Sequence, residues 1–275
     1  MSLRNVAVFS HRRSGTHLTI DTIRNNFAAY GDPPVNIDAL RDPERAPEVR
    51  ARLARRGASP AILKSHSPGR LEHHFTSRAA LEAALQAVRD TRWIYVYRDG
   101  RDVLTSLYHY VRFVRDDLMS ISFREFLKMK DVLSKRPSYQ DLDSAEYWNH
   151  HVLSWAGRED VLYVSFESIV TDYERFVARL ADFIEQPMPA QIRSVVRRAG
   201  GAPRSRWTSL SLVREKMFKL HQEYMRGLQY SSVHFRSGRS GAHEGLFDAR
   251  GLEYFDTRAS DAMELLGYYS KAPRP

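Results

Sequence analysis

The 275-residue chain contains no cysteine. That excludes a disulfide framework, a thiolate zinc site and a cysteine nucleophile. It also fits a reducing compartment. Long apolar runs are missing too: no window approaches the ~20 residues of a membrane span. Met1 to Phe9 is too short an apolar start for a signal-peptide core. The pairs His73–His74 and His150–His151 lack an HExxH or carboxylate pattern, so no metal site is expected. The G-x-x-x-x-G-K-[ST] loop of ATP-binding proteins is absent as well. No internal repeat, low-complexity tract or linker divides the chain. The expectation is a single domain over 1–275, soluble and cytoplasmic, without a membrane span.

Lysine is scarce, at seven residues against 35 arginines, yet the net charge is +9. Arginine is the fork-shaped cation suited to phosphate and carboxylate groups. Charge alone does not choose between nucleic acid, a nucleotide and a polyanionic surface. The arginines are scattered and no nucleic-acid motif accompanies them, so a nucleic-acid partner is not expected.

Asn5 to Phe9 reads as a short buried strand. A polar turn, Ser10 to Gly15, follows, and then Leu18, Ile20, Ile23 and Phe27 recur at helical spacing. Ala61 to Leu63 and Val161 to Val164 are further strands, and Trp93 to Tyr97 is the best strand by aromatic and β-branched content. After it, Arg98 to Asp102 is a turn and Val103 to Phe113 a helix, which repeats strand–loop–helix. Other helices are expected at Arg78 to Arg89, Phe123 to Lys130, Glu146 to Gly157, Tyr173 to Ile184, Gln191 to Arg198 and Glu253 to Leu266. Tyr30 to Ser59 reads as loops around short helices, and Gly227 to Arg250 as a mobile loop. Strands alternating with helices imply an α/β fold: a central, mostly parallel sheet with helices on both faces.

Three segments carry candidate chemistry. Ser10 to His17 joins a strand to a helix, where backbone N–H groups and the helix dipole favour anions. Gly15 lets the backbone approach, Ser14 and Thr16 offer hydroxyls and Arg13 a cation; an ordinary helix cap is the competing reading. Arg98 leaves the best strand, with Ser106 eight residues on, so the two are placed to hold one phosphate. Arg98 and Arg101 paired with Asp99 and Asp102 as a surface turn is the alternative there. Lys64 and His66 lie near the end of the second strand. Histidine is matched to proton transfer near neutral pH, and lysine to holding a developing oxyanion. An exposed loop is the plain alternative.

Together the three segments resemble the PAPS-dependent sulfotransferases (PAPS is 3′-phosphoadenosine 5′-phosphosulfate), especially the cytosolic type. Ser10 to His17 is similar to the phosphosulfate loop Y-P-K-S-G-T-T-W, a P-loop-like strand–loop–helix, with Arg13 for the lysine. Lys64 to Pro68 resembles K-T-H-L-P, and Tyr97 to Ser106 the 3′-phosphate motif A-R-N-x-K-D-V-x-x-S. Trp148 to Trp155 resembles W-Y-E-H-V-x-x-W, and Val161 to Glu167 resembles V-L-Y-L-x-Y-E-D. Phe235 to Gly241 is similar to F-R-K-G-x-x-G, and Phe247 to Asp256 fits F-T-V-x-x-x-E-x-F-D at four positions. The matches run in order from residue 6 to about 268. A bacterial member is the closest description.

The resemblance implies sulfuryl transfer from PAPS to a hydroxyl of a small-molecule acceptor, a secondary metabolite or glycoside, leaving PAP and needing no metal. His66 would be general base, with Lys64 and Arg13 the other catalytic residues. Arg12, Arg13, Ser14, Gly15, Thr16 and His17 would hold the phosphosulfate; Arg98, Ser106 and Arg236, with Ser237 and Gly238, the 3′-phosphate. Phe166, Thr208 and Leu210, beside Trp207 and Ser209, would meet the adenine. The family's stacking tryptophan is Leu18 here, and Phe166 replaces its tyrosine. Tyr108, His109, Phe113 and His151 are candidate acceptor contacts, with Tyr110 beside them and core packing the competing fate. Gly227 to Gly245 would cover the nucleotide, and Asp32 to Arg56 would shape the acceptor's approach or be a solvated surface. The family's dimer segment reads Asp248-Ala249 where the motif has T-V, so monomer and dimer both stay open. Sulfation of a carbohydrate or lipid-linked saccharide is the near alternative. A P-loop nucleotide kinase-like phosphotransferase and a non-catalytic polyanion-binding module are the distant ones.

Overall fold

The computed structural model describes residues 3–55, 60–130, 139–195 and 240–269. Five strands form one sheet: β1 (Asn5–Ser10), β2 (Val35–Asn36), β3 (Ile62–Ser65), β4 (Thr91–Tyr97) and β5 (Val161–Ser165), in the order β2-β3-β1-β4-β5. Every pairing is parallel, with Val8 level with both Lys64 and Ile94. The central strands β1 and β4 are mostly apolar because both faces are covered. Along β1 and β4 the side chains divide by alternation. Val6, Val8, Ile94 and Val96 face one way, against α1 (Thr16–Asn26) and, past the short helix α8 (Phe166–Thr171), α9 (Tyr173–Phe183). Ala7, Phe9, Trp93 and Tyr95 face the other, toward α2 (Ala46–Ala54), α3 (Leu71–His74) and α4 (Arg78–Val88). A third cluster joins α5 (Gly100–Val114), α6 (Phe123–Lys128), α7 (Ser144–Leu153) and α10 (Ala249–Leu265) through Trp148, Phe126 and Phe255. The α/β architecture is therefore as expected, with helices on both sheet faces.

Caps explain where the helices differ from expectation. Asp99 accepts from the Arg101 N–H at 2.9 Å, so α5 starts at Gly100 rather than Val103. Asp248 accepts from the Gly251 N–H at 2.8 Å and starts α10 at Ala249 rather than Glu253. This gives the Asp248 departure from the T-V motif a local role. A capping box of Asp143 and Glu146 starts α7. The helix expected from Gln191 is not formed over 191–195. There the Asn26 side-chain amide grips the Arg193 backbone on both sides, at 2.7 and 3.1 Å, in place of helical bonds. The expected loop from Gly227 lies outside the described residues up to 239, as do Thr208, Leu210, Arg236, Ser237 and Gly238.

From β1 the chain first builds one side of the sheet, β2 at the edge and then β3, and afterwards crosses to β4 and β5 on the other side. This reversal opens a crevice at the carboxyl ends of the strands, where open α/β sheets bind ligands. Ser10, Ser65 and Tyr97 are the last residues of β1, β3 and β4.

Candidate active site

The loop from β1 to α1 turns through two left-handed residues, Arg13 at φ 72° and Gly15 at φ 108°. Glycine suits the second because a Cβ there would also come within 3.0 Å of the Phe166 ring. The Arg13 Nε–H donates to Ser106 Oγ at 3.1 Å, and its guanidinium lies over the Tyr110 ring at 5.2 Å. One bond thus joins the Ser10–His17 loop to the Arg98–Ser106 motif. Thr16 Oγ1 lies 2.5 Å from Ser10 Oγ. The Ser14 hydroxyl is buried and has no partner among the described residues. A buried unsatisfied hydroxyl on an arginine-bearing loop at a helix N-terminus fits an incoming anion.

Arg98, 6% exposed, leaves β4 beneath the same loop and stacks on Phe166 at 4.3 Å. One of its nitrogens donates to Asp102 at 3.3 Å. Asp102 is fully buried and also accepts from the Gly241 N–H at 2.9 Å, the His243 N–H at 3.0 Å and His243 Nδ1 at 2.9 Å. Burial alone would raise this carboxyl; Arg98 and the His243 bonds outweigh it and hold it below its ordinary range. Asp102 therefore ties the segment after the R-S-G motif to α5. The reading of Arg98 and Asp102 as an exposed ion pair fails because both are buried.

Lys64 points from β3 to the α1 side, and its ammonium donates to His17 Nε2 at 3.0 Å. Burial pushes Lys64 down to about 8, with Asp38 opposing the shift and Arg12 adding to it. His66, half-buried, follows the strand end. Its Nδ1 lies 3.0 Å from the Ser10 carbonyl oxygen. A carbonyl can only accept, so Nδ1 carries the proton and Nε2 holds the lone pair. Burial, then the Lys64 and Arg12 charges, push His66 well below the ordinary imidazole value. The ring is therefore neutral near pH 7.

The His66 loop is held from behind. The Trp155 indole N–H donates to the Ser67 carbonyl at 3.2 Å, while its ring packs on Phe9 and Tyr95. His151 is fully buried between the Tyr95 hydroxyl, 3.0 Å from its Nδ1, and the His66 carbonyl, 3.4 Å from its Nε2. Tyr108 is buried among Phe123 and Phe126 and donates to the Ile121 carbonyl at 2.9 Å. His109 is half-buried with its ring 5.4 Å from that of Tyr108. The Phe113 side chain is outside the described set. Residues not singled out by sequence also line this region: His11, 3% exposed, packs on Tyr147 and His151, and Asp38 binds the His66 loop. Among the described residues, no group of three or more His, Asp or Glu is placed to hold a metal. No helix among them is long and apolar enough to cross a membrane.

The model of the sulfotransferase domain family matches residues 4–267. The chain belongs to that family. Curated relatives of this sulfotransferase domain include Cytosolic sulfotransferase 11 of Arabidopsis thaliana, 27% identical over 57% of this chain and 44% of that protein. Human Sulfotransferase 4A1 is 25% identical over 66% of this chain and 59% of that one. The chain thus spans about half the length of these curated relatives. Among solved structures, a mouse sulfotransferase complexed with PAP superposes with TM-score 0.58 at 16% identity, over 97% of this chain and 89% of that one. A retinol dehydratase in complex with retinol and PAP gives TM-score 0.59 at 18% identity, over 98% and 83%. At these identities the structural likeness establishes the fold of the sulfotransferase domain.

Proposed function

We propose that this sulfotransferase domain moves the sulfuryl group of PAPS to a hydroxyl of a small-molecule acceptor. The observation that carries the reading is the His66 tautomer: Nδ1 is spent on the Ser10 carbonyl at 3.0 Å and Nε2 is left basic. Support for the donor comes from the cation set Arg13, Lys64 and Arg98 around the carboxyl ends of β1, β3 and β4, and from the orphaned Ser14 hydroxyl. Two structural neighbours of the same fold carry PAP, which agrees with it.

The roles follow from the chemistry of each group. When bound, the donor supplies the sulfuryl group and leaves as the 3′,5′-bisphosphate. His66 Nε2 takes the acceptor's hydroxyl proton, which makes that oxygen the nucleophile. Lys64, charged below about pH 8, counters negative charge on the departing side. Arg12, Arg13, Ser14, Gly15, Thr16 and His17 hold the phosphosulfate end, and Arg98 with Ser106 the 3′-phosphate. Arg98 stacked on Phe166 offers a flat edge for the purine. The work is positioning and charge stabilisation, as in phosphoryl transfer. Arg236, Ser237, Gly238, Thr208 and Leu210 are kept as nucleotide contacts on the motif resemblance alone. His109 and Phe113 are kept for the acceptor on their place along α5 after Ser106, and the buried Tyr108 and His151 as walls behind it.

Transfer of label from sulfur-35 PAPS to a panel of phenols, alkyl alcohols and glycosides tests this. Wild type is expected to label at least one acceptor, and His66→Ala to lose about 10²–10⁴ of the rate, the usual worth of a general base. Label transfer by His66→Ala at the wild-type rate would remove His66 from the chemistry. Magnesium-dependent transfer from ATP, with none from PAPS, would point to a phosphotransferase instead.

A further inference from the structure

The His66 loop is gripped by a carboxylate from the charged stretch Asp32 to Arg56, which by sequence would shape the acceptor's approach or be a solvated surface. The two-residue strand β2 pairs with β3 so that Asn36 is level with Lys64. The chain then turns into a short 3-10 helix, Ile37–Arg41, which carries Asp38 to the His66 loop. The Asn36 side chain accepts from the Asp38 N–H at 3.3 Å and fixes the turn. Asp38 then receives three donors. Its Oδ1 accepts from Ser65 Oγ at 2.6 Å and from His74 Nε2 at 2.8 Å. Its Oδ2 accepts from the His66 backbone N–H at 2.9 Å. The Asp38 side chain is 12% exposed and that of His74 fully buried. Ser65 has one hydroxyl proton and a carboxylate can only accept, so that proton goes to Asp38. Ser67 Oγ, 2.8 Å from Ser65 Oγ, must then donate to it, and Ser65 Oγ in turn accepts from the Ser67 N–H at 3.0 Å. Residues 65–67 are thereby locked from one side by Asp38, as Trp155 and His151 lock them from the other.

We propose that Asp38, oriented by His74, is a positioning residue that sets both the place and the charge balance of the Lys64–His66 pair. The charged or titratable groups shown to act on it or beside it are Lys64 from β3, His66 just past that strand and His74 from α3, while Arg12 from the first loop acts on Lys64 and His66 in the opposite sense. Asp38 alone among the charges acting on Lys64 and His66 opposes the lowering of both. The carboxylate favours the charged form of Lys64 against burial and the neighbouring Arg12. The inference bears on the Proposed function, so its test reads Lys64 directly as well as turnover.

The experiment is a carbon-13 NMR titration of lysine-labelled protein, feasible with seven lysines, with Lys64 assigned by its loss in Lys64→Arg. In the wild type Lys64 is expected to titrate at about 8. In Asp38→Asn, which faces the three donors with one acceptor oxygen and no charge, it should titrate clearly lower. Asp38→Glu should restore the value toward wild type. Where the protein turns over, the alkaline limb of kcat/KM should move down with it and kcat should fall at least tenfold. If Asp38→Asn does not fold, His74→Leu and His74→Gln give the same reading: Leu, which removes the N–H donor, should lower kcat at least threefold, and Gln should restore it. An unchanged Lys64 titration in Asp38→Asn, or equal kcat in the two His74 variants, would overturn the proposal. The NMR result stands whether or not PAPS is the donor.

Discussion

His66 is prepared for proton transfer by what binds the far side of its ring. The Ser10 carbonyl takes Nδ1, and burial beside Lys64 and Arg12 keeps the imidazole neutral. The sign follows directly: a histidine lowered in the folded state stays basic as pH falls through 6.5. Lys64 sets the other limit. Its lowered value means that it loses charge as pH rises past about 8, while an unfolded lysine holds its proton to near 10.5. Between those values the folded state binds fewer protons, so this group's contribution to stability rises with pH while its charge is lost to the site. The expected pH profile of kcat/KM is therefore flat through 6.5 and falls above about 8. Lys64→Arg, which stays charged, should move that fall to higher pH; the same limb near 8 in the variant would assign it to another group. Ser14 makes a second prediction at this scale. Its buried hydroxyl lacks a partner, and such a group costs about 1–3 kcal/mol. Ser14→Ala should leave the free protein as stable or more stable and reduce the melting shift caused by PAP. A lower melting temperature of the free variant with an unchanged PAP shift would show that Ser14 serves folding instead.

The elements carry these residues to one place by register and caps. Gly69 shows how tightly. A Cβ on Gly69 would lie 1.9 Å from the Ser154 carbonyl oxygen just past α7, and the Gly69 N–H donates to Ser154 Oγ at 2.8 Å. Gly69→Ala must push the His66 loop away from α7. Overpacking of this kind costs about 1–3 kcal/mol, so a lowered melting temperature and a lowered kcat are expected together. A variant with wild-type melting and kcat would contradict the described contact. Much at this scale was legible in the sequence. Strands β1, β4 and β5 stand out because each is mostly β-branched and aromatic, as strands of a covered parallel sheet are. The first loop, Lys64, His66 and Arg98 stand out because they combine local patterns with strand ends. What escaped depends on contacts distant in sequence. β2 has two residues and no pattern of its own, yet it delivers Asp38 to His66, 28 positions away. Asp102 reads as a surface charge until His243, 141 positions on, is seen to bind it. Tyr108 and Tyr110 are two apart on α5, and only packing separates the core tyrosine from the one under Arg13.

For the whole molecule, the net charge of +9 is spread unevenly in meaning. Arg13, Lys64 and Arg98 converge where β1, β3 and β4 end, and their partners there include the Ser106 hydroxyl, the His17 imidazole and the Asp102 carboxylate. Such a site attracts a multiply charged anion and binds it best in the folded state. The most direct test of this account is therefore the melting temperature of the intact protein with PAP. A ligand specific for the folded state adds ~2.7 kcal/mol at 100 times its dissociation constant, or roughly 5–10 °C in a chain of this size. The account predicts a saturable rise of that order with PAP, and a much smaller one with ATP and magnesium. No rise with millimolar PAP, or an equal rise with ATP and magnesium, would contradict it.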